Sequence, residues 1–110
     1  MTFNEYQKRA KETAMYKKNT FEGLNYVIHG LNGESGEISN KFKKIIRDNN
    51  SELTSDIVTD LAKEVGDCLW YIAMISSELG FDLDDIAEEN VIKLSSRFER
   101  GVIQGSGDNR

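Results

Sequence analysis

Apolar residues recur every three or four positions along most of the chain, which is the spacing of helices with one buried face. The longest apolar stripe comprises Ile57, Leu61, Val65, Cys68, Ile72, Ile75 and Leu79. A second stripe predicts the core face of another long helix at Leu24, Ile28, Leu31, Ser35, Ile38, Phe42 and Ile45. Few segments alternate as strands do, and the chain has no proline, which would break helix interiors. The pattern therefore predicts an all-α fold.

Turn and capping signals divide this pattern into four helices. Thr2 and Glu5 form a capping box at the start of the first helix, and the DNNS cluster at residues 48–51 is the clearest break in the chain. The predicted helices run from Thr2 to about Tyr16, from about Glu22 to about Arg47, from Thr54 or Ser55 to Gly80, and from Asp82 to Gly101. We expect a single domain over residues 1–100, followed by a flexible, glycine-rich tail over residues 101–110.

The composition limits the classes of partner and compartment. Fourteen basic and 19 acidic residues give a net charge of −5, which argues against a nucleic-acid polymer as partner. The single cysteine, Cys68, excludes a disulfide framework and favours a reducing compartment. No apolar run approaches the roughly 18–20 residues that span a bilayer, and the N-terminus lacks a signal-peptide core. We therefore expect no membrane partner and a cytoplasmic protein, in the host cytoplasm if a phage encodes it.

Each of the two longest predicted helices carries two acids three residues apart, Glu34 with Glu37 and Glu64 with Asp67. Side chains at that spacing lie on one helix face, and both pairs border apolar faces that must pack together. Antiparallel packing would bring four carboxylates into a small volume, where repulsion would keep some of them protonated. Oxygen ligands of this kind suit Mg²⁺ or Mn²⁺, which also bind phosphate oxygens. The spacing predicts a candidate metal site.

Two other interpretations of the acids were weighed. Lys41 and Lys44 could neutralise the carboxylates, which would then be solvated edges of a non-catalytic helical interaction module. A di-iron carboxylate bundle requires Glu-x-x-His pairs on two helices. The only histidine, His29, does not follow a glutamate at that spacing, so the sequence does not predict a di-iron site.

Three motifs follow one another along the chain: GLxGExGE from residue 30, EVGDCLWY from residue 64 and NxxKLxxR from residue 90. Together they resemble the MazG-like all-α nucleoside triphosphate pyrophosphohydrolases, whose mark is E-x-x-E followed by E-x-x-D. The resemblance covers about residues 24–100. The ending RGVIQGSGDNR is similar to that of short single-domain members, which often come from phages or bacteria.

The resemblance implies a four-helix MazG-like bundle that hydrolyses a ribo- or deoxyribonucleoside triphosphate to the monophosphate and pyrophosphate. It implies Mg²⁺ as cofactor, with Mn²⁺ able to substitute, and metal ligands at Glu34, Glu37, Glu64 and Asp67. Glu37 and Glu64 are the candidate catalytic carboxylates, because a spare oxygen on either could accept a proton. A related pyrophosphohydrolase, of the dUTP or dCTP type or acting on phosphoribosyl-ATP, is the alternative.

The resemblance also implies a homodimer or homotetramer whose pocket is completed across the interface. Apolar residues such as Trp70, Met74 and Phe81 exceed what one small core covers, which favours subunit contacts as well. The candidate substrate-binding residues are Asn25, His29, Lys41, Tyr71, Asn90, Lys93 and Arg97. By matching positions, Asn90 and Lys93 contact phosphate and sugar, and Tyr71 lines the nucleotide pocket. Asn25, Tyr26 and His29 precede the first acid pair and are candidates to face the base.

Overall fold

The computed structural model describes residues 1–110 and contains four helices without strands, so the all-α prediction is confirmed. The helices are α1 (Phe3–Lys11), α2 (Phe21–Asp48), α3 (Ser55–Glu78) and α4 (Leu83–Glu99). Helices α2 and α3 pair along their length as an antiparallel hairpin, while α1 lies against α3, and α4 packs on α1 and α3. The acid pairs of α2 and α3 therefore belong to the same helix–helix interface.

The predicted caps form. Thr2 Oγ1 accepts a hydrogen bond from Glu5 N at 3.0 Å, and Glu5 Oε2 accepts one from Thr2 N at 2.7 Å. Thr54 caps α3 by accepting from Ile57 N. Gly80 ends this helix with φ +80°, as predicted, and the amide of the next residue donates to the Ser76 carbonyl at 2.9 Å. The caps satisfy backbone groups that a helix leaves without partners at its ends.

The first helix ends at Lys11, five residues before the predicted end near Tyr16. The carbonyl group of Ala10, near this end, accepts a hydrogen bond from Trp70, a distant residue whose contact sequence periodicity does not reveal. Trp70 Nε1 donates to Ala10 O at 3.1 Å and to Thr13 Oγ1 at 2.9 Å, and Thr13 Oγ1 donates to Ala10 O at 2.8 Å. The chain then turns toward α2 instead of extending the helix.

The buried core lies where α1 crosses the α2–α3 hairpin. Its fully or nearly buried residues are Ala10, Ala14, Val27, Ala73, Met74 and Leu83. Gln7 is buried beside them and ties three elements together. Its Nε2 donates to Ser77 Oγ and to Phe81 O, both at 3.0 Å, and its Oε1 accepts from Leu83 N at 2.9 Å. This side chain fixes α1 against the turn between α3 and α4.

The predicted core stripe of α3 is only partly covered in this chain, since four of its seven residues are partly buried and three are exposed. Val65 is 56% exposed, Ile72 38% and Leu79 54%. On α2, Ile28 and Phe42 are exposed too. The buried residues of α3 are instead Ala73, Met74 and Ser76, because α1 covers that side of the helix.

The chain is also more open than a compact domain of its size. Its radius of gyration is 16.9 Å, whereas about 13 Å is typical of a domain of this length. The reason is that α4 packs on α1 and α3 and leaves the outer faces of α2 and α3 uncovered. The Gly-rich tail folds back on α4, although its flexibility in solution stays a prediction.

Candidate active site

Three of the four predicted acids converge between α2 and α3. Carboxylate oxygens of Glu34, Glu64 and Asp67 all lie within 4.8 Å of one another. Glu37 lies outside this group and is exposed on α2. The cluster forms because Glu34 on one helix meets an i, i+3 pair on the antiparallel partner helix. We call Glu34, Glu64 and Asp67 the acid cluster.

One cation pairs directly with the acid cluster. Lys41 Nζ lies 2.6 Å from Glu64 Oε1, and the Glu64 side chain is 14% exposed. This hydrogen bond is the largest cause that raises the pKa of Lys41. The neutralising role considered for Lys41 in the sequence is therefore present, but it reaches only one of the carboxylates. Lys44 is exposed and forms no salt bridge.

Glu34 lies in the acid cluster without a salt bridge to a cation, and its pKa is raised. Burial raises the pKa of its carboxyl group first, and repulsion from Asp67 and Glu64 raises it further. The folded metal-free chain therefore binds more protons at Glu34 than the unfolded chain at pH values above the ordinary glutamate pKa of 4.5. The contribution of Glu34 to the free energy of unfolding therefore decreases as pH rises through that region. Two like charges without a partner cation make the acid cluster suited to a metal ion.

Tyr71 packs on α2 directly beside the acid cluster. A Cβ atom added to Gly30 would lie 2.1 Å from Tyr71 Cε1, so only glycine admits the ring at this position. Burial raises the pKa of the Tyr71 hydroxyl, and Tyr26, Glu34 and Asp67 add to the effect. The structure thus places Tyr71 next to the acids, where the sequence analysis expected a residue of the nucleotide pocket.

Other predicted substrate residues lie away from the acid cluster. Asn25 and His29 are exposed on α2, and no hydrogen bond or salt bridge holds either side chain. Asn90 and Lys93 are exposed on α4, which does not contact α2. Within one chain, the structure therefore brings only Lys41 and Tyr71 of the predicted substrate residues to the acids.

Asn90 and Lys93 instead line a cleft of about 850 Å³ at the junction of α3 and α4. The other residues of this cleft are Leu79, Phe81, Asp85, Ile86, Glu88 and Glu89. Lys93 is its one basic residue, beside three acids. The cleft is continuous with the exposed apolar stripe of α3 through Leu79.

Arg97 is covered by the C-terminal tail. It is 5% exposed, and its Nη2 donates to Asp108 O at 2.6 Å. Arg110 closes the tail on itself by donating to the carbonyl groups of Val102 and Gly107, at 3.0 and 2.6 Å. Arg97 therefore holds the tail in this conformation, and its role in substrate binding stays a prediction.

The sequence analysis did not foresee a cluster of four aromatic rings that includes Tyr71. Tyr16 and Tyr26 stack with ring centroids 5.7 Å apart, and Trp70 meets Tyr71 edge to face at 5.0 Å. Only the adjacency of two aromatic residues to the second acid pair could have signalled this cluster. The two tyrosines join it through the tertiary fold.

The pairing of acids from α2 and α3 matches a family pattern. Residues 23–102 match the model of the MazG nucleotide pyrophosphohydrolase domain. The chain belongs to this family. The matched region includes the whole acid cluster, both predicted acid pairs and the motif on α4, so the resemblance drawn from the sequence is confirmed.

A phage protein is similar to this member of the MazG family over nearly its full length. It is the Gene 37 protein of Mycobacterium phage L5, which is 48% identical over 109 residues, covering 96% of each chain. No solved structure matches the chain. No helix combines the length and the apolar character needed to cross a membrane.

Proposed function

We propose that this protein hydrolyses a nucleoside triphosphate to the monophosphate and pyrophosphate with Mg²⁺, in the cytoplasm. The observation that carries the proposal is the acid cluster, in which carboxylates from two helices lie within 4.8 Å of one another. Family membership supports the reaction class. The phage relative is compatible with a host cytoplasm.

The residues present fit a divalent metal ion. All three members of the acid cluster offer oxygen, the donor atom that Mg²⁺ and Mn²⁺ prefer. Lys41 compensates Glu64, whereas burial and then repulsion from Asp67 and Glu64 raise the pKa of Glu34. We propose that Glu34, Glu64 and Asp67 hold the ion. When bound, Mg²⁺ would offset the negative charge of the phosphates in the transition state.

Glu37 has a different environment from the other acids. Its carboxylate lies outside the acid cluster, yet it is near enough to raise the pKa of Glu34. Because its oxygens are not needed to complete that cluster, we propose Glu37 as the group that accepts the proton of the attacking water. Glu64 is less suited to this task, since Lys41 holds one of its oxygens at 2.6 Å.

We also propose that the active form is a homodimer or homotetramer. The exposed residues Val58, Val65, Ile72 and Leu79 repeat every seven positions and form one apolar line along α3. Exposed apolar surface of this extent is typical of a subunit contact. A second chain covering this line would also supply the packing that the open single chain lacks. Light scattering that found an active monomer would contradict this proposal.

The test of the reaction is a panel of ribo- and deoxyribonucleoside triphosphates incubated with Mg²⁺, with the products separated by chromatography. We expect monophosphate and pyrophosphate in equal amounts and no activity in excess chelator. Orthophosphate as the first product, or full activity without metal, would refute the proposal.

A pair of variants makes the assay specific to the acid cluster. Asp67→Asn should abolish turnover, because it removes a carboxylate of the proposed metal site. Glu52→Gln is the matched control, since Glu52 is an exposed acid in the α2–α3 turn and belongs to no cluster. Equal loss of activity in both variants would show that the effect is not due to the acid cluster.

A further inference from the structure

Arg97 is the one buried residue in the second half of α4. From residue 88 to residue 100 every other side chain is exposed, including the apolar Val91, Leu94 and Phe98. Arg97 is 5% exposed, although arginine is almost never fully buried unless it is paired. A buried cation among exposed apolar residues is the reverse of what the hydrophobic effect produces. A specific contact must therefore cover this side chain.

The tail, residues 101–110, supplies that contact. Arg97 Nη2 donates to Asp108 O at 2.6 Å, and Arg97 O accepts from Val102 N at 2.8 Å. Both partners are backbone groups of the tail, and Arg97 forms no salt bridge with an acid. A guanidinium group carries five N–H donors. The tail therefore covers Arg97 while it satisfies only a part of its hydrogen-bonding capacity.

Arg110 closes the tail into a defined loop. Its Nε donates to Val102 O at 3.0 Å, its Nη1 to Gly107 O at 2.6 Å and its Nη2 to Ile103 O at 2.8 Å. All three guanidinium nitrogens thus bind backbone carbonyl groups, and no acid takes part. Gly105 lies against the same side chain, since a Cβ atom there would be 3.2 Å from Arg110 Cδ. We call residues 101–110 in this closed form the arginine clasp.

The arginine clasp is built from a segment that can open. Gly101, Gly105 and Gly107 have φ values of +71°, +140° and +86°, which other residues rarely adopt. Glycine loses more conformational freedom on ordering than any other residue, so closure of the tail costs entropy. Gly101 follows the C-cap residue of α4, and rotation there would lift the tail from Arg97 without a change in the helix. Only hydrogen bonds to neutral carbonyl groups oppose this movement.

The side chain under the arginine clasp is suited to a phosphate group. Hydrogen bonds between ionised partners are about twice as strong as those between neutral ones, and the planar guanidinium matches phosphate geometry. Lys93 lies one turn before Arg97 on the same face of α4, where it is exposed and forms no salt bridge. A chain of several phosphates would therefore compete with Asp108 O for Arg97.

We propose that the arginine clasp is an autoinhibitory contact, which covers Arg97 until an oligophosphate chain binds this side chain and releases the tail. The inference rests on the proposed function for the choice of an oligophosphate, and it adds control by the tail. A ligand that binds only the open form has its affinity reduced by the fraction of chains that are open. By reciprocity, the ligand favours the open form, and unfastening the tail favours the ligand.

The arginine side chains report both states without turnover. The chain has five arginines, so single Arg→Met variants assign their Nε–H signals in nitrogen-15 NMR spectra. Inorganic triphosphate is titrated at constant ionic strength, with a chelator present so that no metal joins the phosphates to the acid cluster. We expect saturable shifts of the Arg97 and Arg110 signals, because Arg110 loses its carbonyl partners when the tail opens.

A nucleoside triphosphate in the same buffer should give the same shifts, and the nucleoside alone should give none. Shifts caused by the nucleoside alone would overturn the proposal. The absence of any Arg97 shift would do so as well. A shift of Arg97 without a shift of Arg110 would show that the ligand binds while the tail stays closed, which also contradicts the autoinhibitory contact.

Two variants unfasten the tail in different ways. Arg110→Met removes the three bonds to carbonyl groups, whereas Gly105→Ala strains a positive φ beside Arg110 and keeps the net charge. Each should lower the Kd of inorganic triphosphate about tenfold, since a minor open form is populated at roughly 10% or less. Arg100→Met is the matched control, because Arg100 is an exposed arginine that does not hold the tail, and its loss should not lower the Kd.

An Arg97→Met background identifies the group that the tail covers. In that background neither Arg110→Met nor Gly105→Ala should change the Kd. A tenfold gain that persists without Arg97 would overturn the proposal. A Kd that stays at the wild-type value or rises in both unfastening variants would overturn it too.

These titrations need neither metal nor turnover, so they are independent of the proposed reaction. The expected shifts and variant effects, in a protein that releases no pyrophosphate from any triphosphate, would support the arginine clasp and refute the reaction. Pyrophosphate release in a protein whose Arg97 and Arg110 signals do not respond would support the reaction and refute the arginine clasp.

Discussion

Replacement of Gly30 by alanine tests the contact that joins the two long helices beside the acid cluster. The added Cβ would lie 2.1 Å from Cε1, 2.5 Å from Cζ and 2.6 Å from Cδ1 of Tyr71. Carbon atoms in contact prefer separations of about 3.5–4.0 Å, so the tyrosine ring or the helix must move. The ring is not free to swing away, because Trp70 and Tyr26 pack against it.

The size of the effect follows from two opposing contributions. Alanine is favoured over glycine in a helix interior by about 1 kcal/mol. Forcing a packed side chain aside costs about 1–3 kcal/mol. Gly33→Ala should show the first contribution alone, since nothing lies within 4 Å of a Cβ atom at Gly33. The free energy of unfolding of Gly30→Ala should therefore be about 1–3 kcal/mol below that of Gly33→Ala.

Urea unfolding of both variants, followed by circular dichroism in metal-free buffer, measures this difference. All samples need the same protein concentration, because association would make stability concentration-dependent. A second pair of variants in a Tyr71→Ala background completes a double-mutant cycle, in which the difference should disappear. Equal stability of Gly30→Ala and Gly33→Ala in the wild-type background would refute the close packing of Tyr71 on α2.

Three further changes test separate contacts. Glu34→Gln should stabilise the metal-free protein at neutral pH, and its stability should fall less than that of the wild type as pH rises above 4.5. Mg²⁺ should raise the melting temperature of the wild type more than that of the variant. Tyr16→Phe should stabilise the protein by about 1 kcal/mol, because it removes a buried hydroxyl group without a hydrogen-bond partner. Arg97→Met should speed amide hydrogen exchange over residues 101–110, whereas Arg100→Met, at an exposed arginine, should not.

Each of these changes has a clear contrary result. A metal-free Glu34→Gln protein that melts below the wild type would make Glu34 a structural residue. For Tyr16, burial and the neighbouring Glu78 raise the pKa from 10.0 to about 12, so the wild type should lose more stability than Tyr16→Phe as pH rises through that range. The same loss in Tyr16→Phe would contradict this reasoning. Equal exchange in the two arginine variants would mean that Arg97 does not hold the tail.

Local signals in the sequence were sufficient to predict the four helices and several of their ends. Capping by Thr2 and Thr54, and the left-handed Gly80, depend on residues within one turn of the helix end, and all three form as expected. The end of α1 could not be predicted in this way. Trp70, 57 residues beyond Thr13, donates hydrogen bonds at this end, and such a contact leaves no periodic trace.

The acid cluster could be predicted in part, because the spacing of residues within one helix is also a local signal. The i, i+3 spacing placed Glu64 and Asp67 on one face, and antiparallel pairing brought Glu34 to them. The spacing could not show that Glu37 lies outside the acid cluster, nor that Lys41 forms its salt bridge with Glu64. Removal of Glu64 would consequently disrupt its ion pair with Lys41. The sequence analysis expected repulsion among all four acids, and in the structure it contributes to the raised pKa of Glu34.

The hydrophobic stripe of α3 shows why periodicity identifies a buried face but not what buries it. Its spacing is that of a core helix, yet Val65, Ile72 and Leu79 are exposed in the single chain, and α4 does not reach α2 to cover them. Asn90 and Lys93 lie on α4, which does not contact α2, and they line a cleft that contains none of the acid cluster. A nucleoside triphosphate brings several negative charges to a cluster that one chain supplies with a single paired cation, Lys41. Additional positive charge must therefore come from metal ions or from a second chain, and an assembly that covers the α3 stripe is the arrangement we expect to provide it.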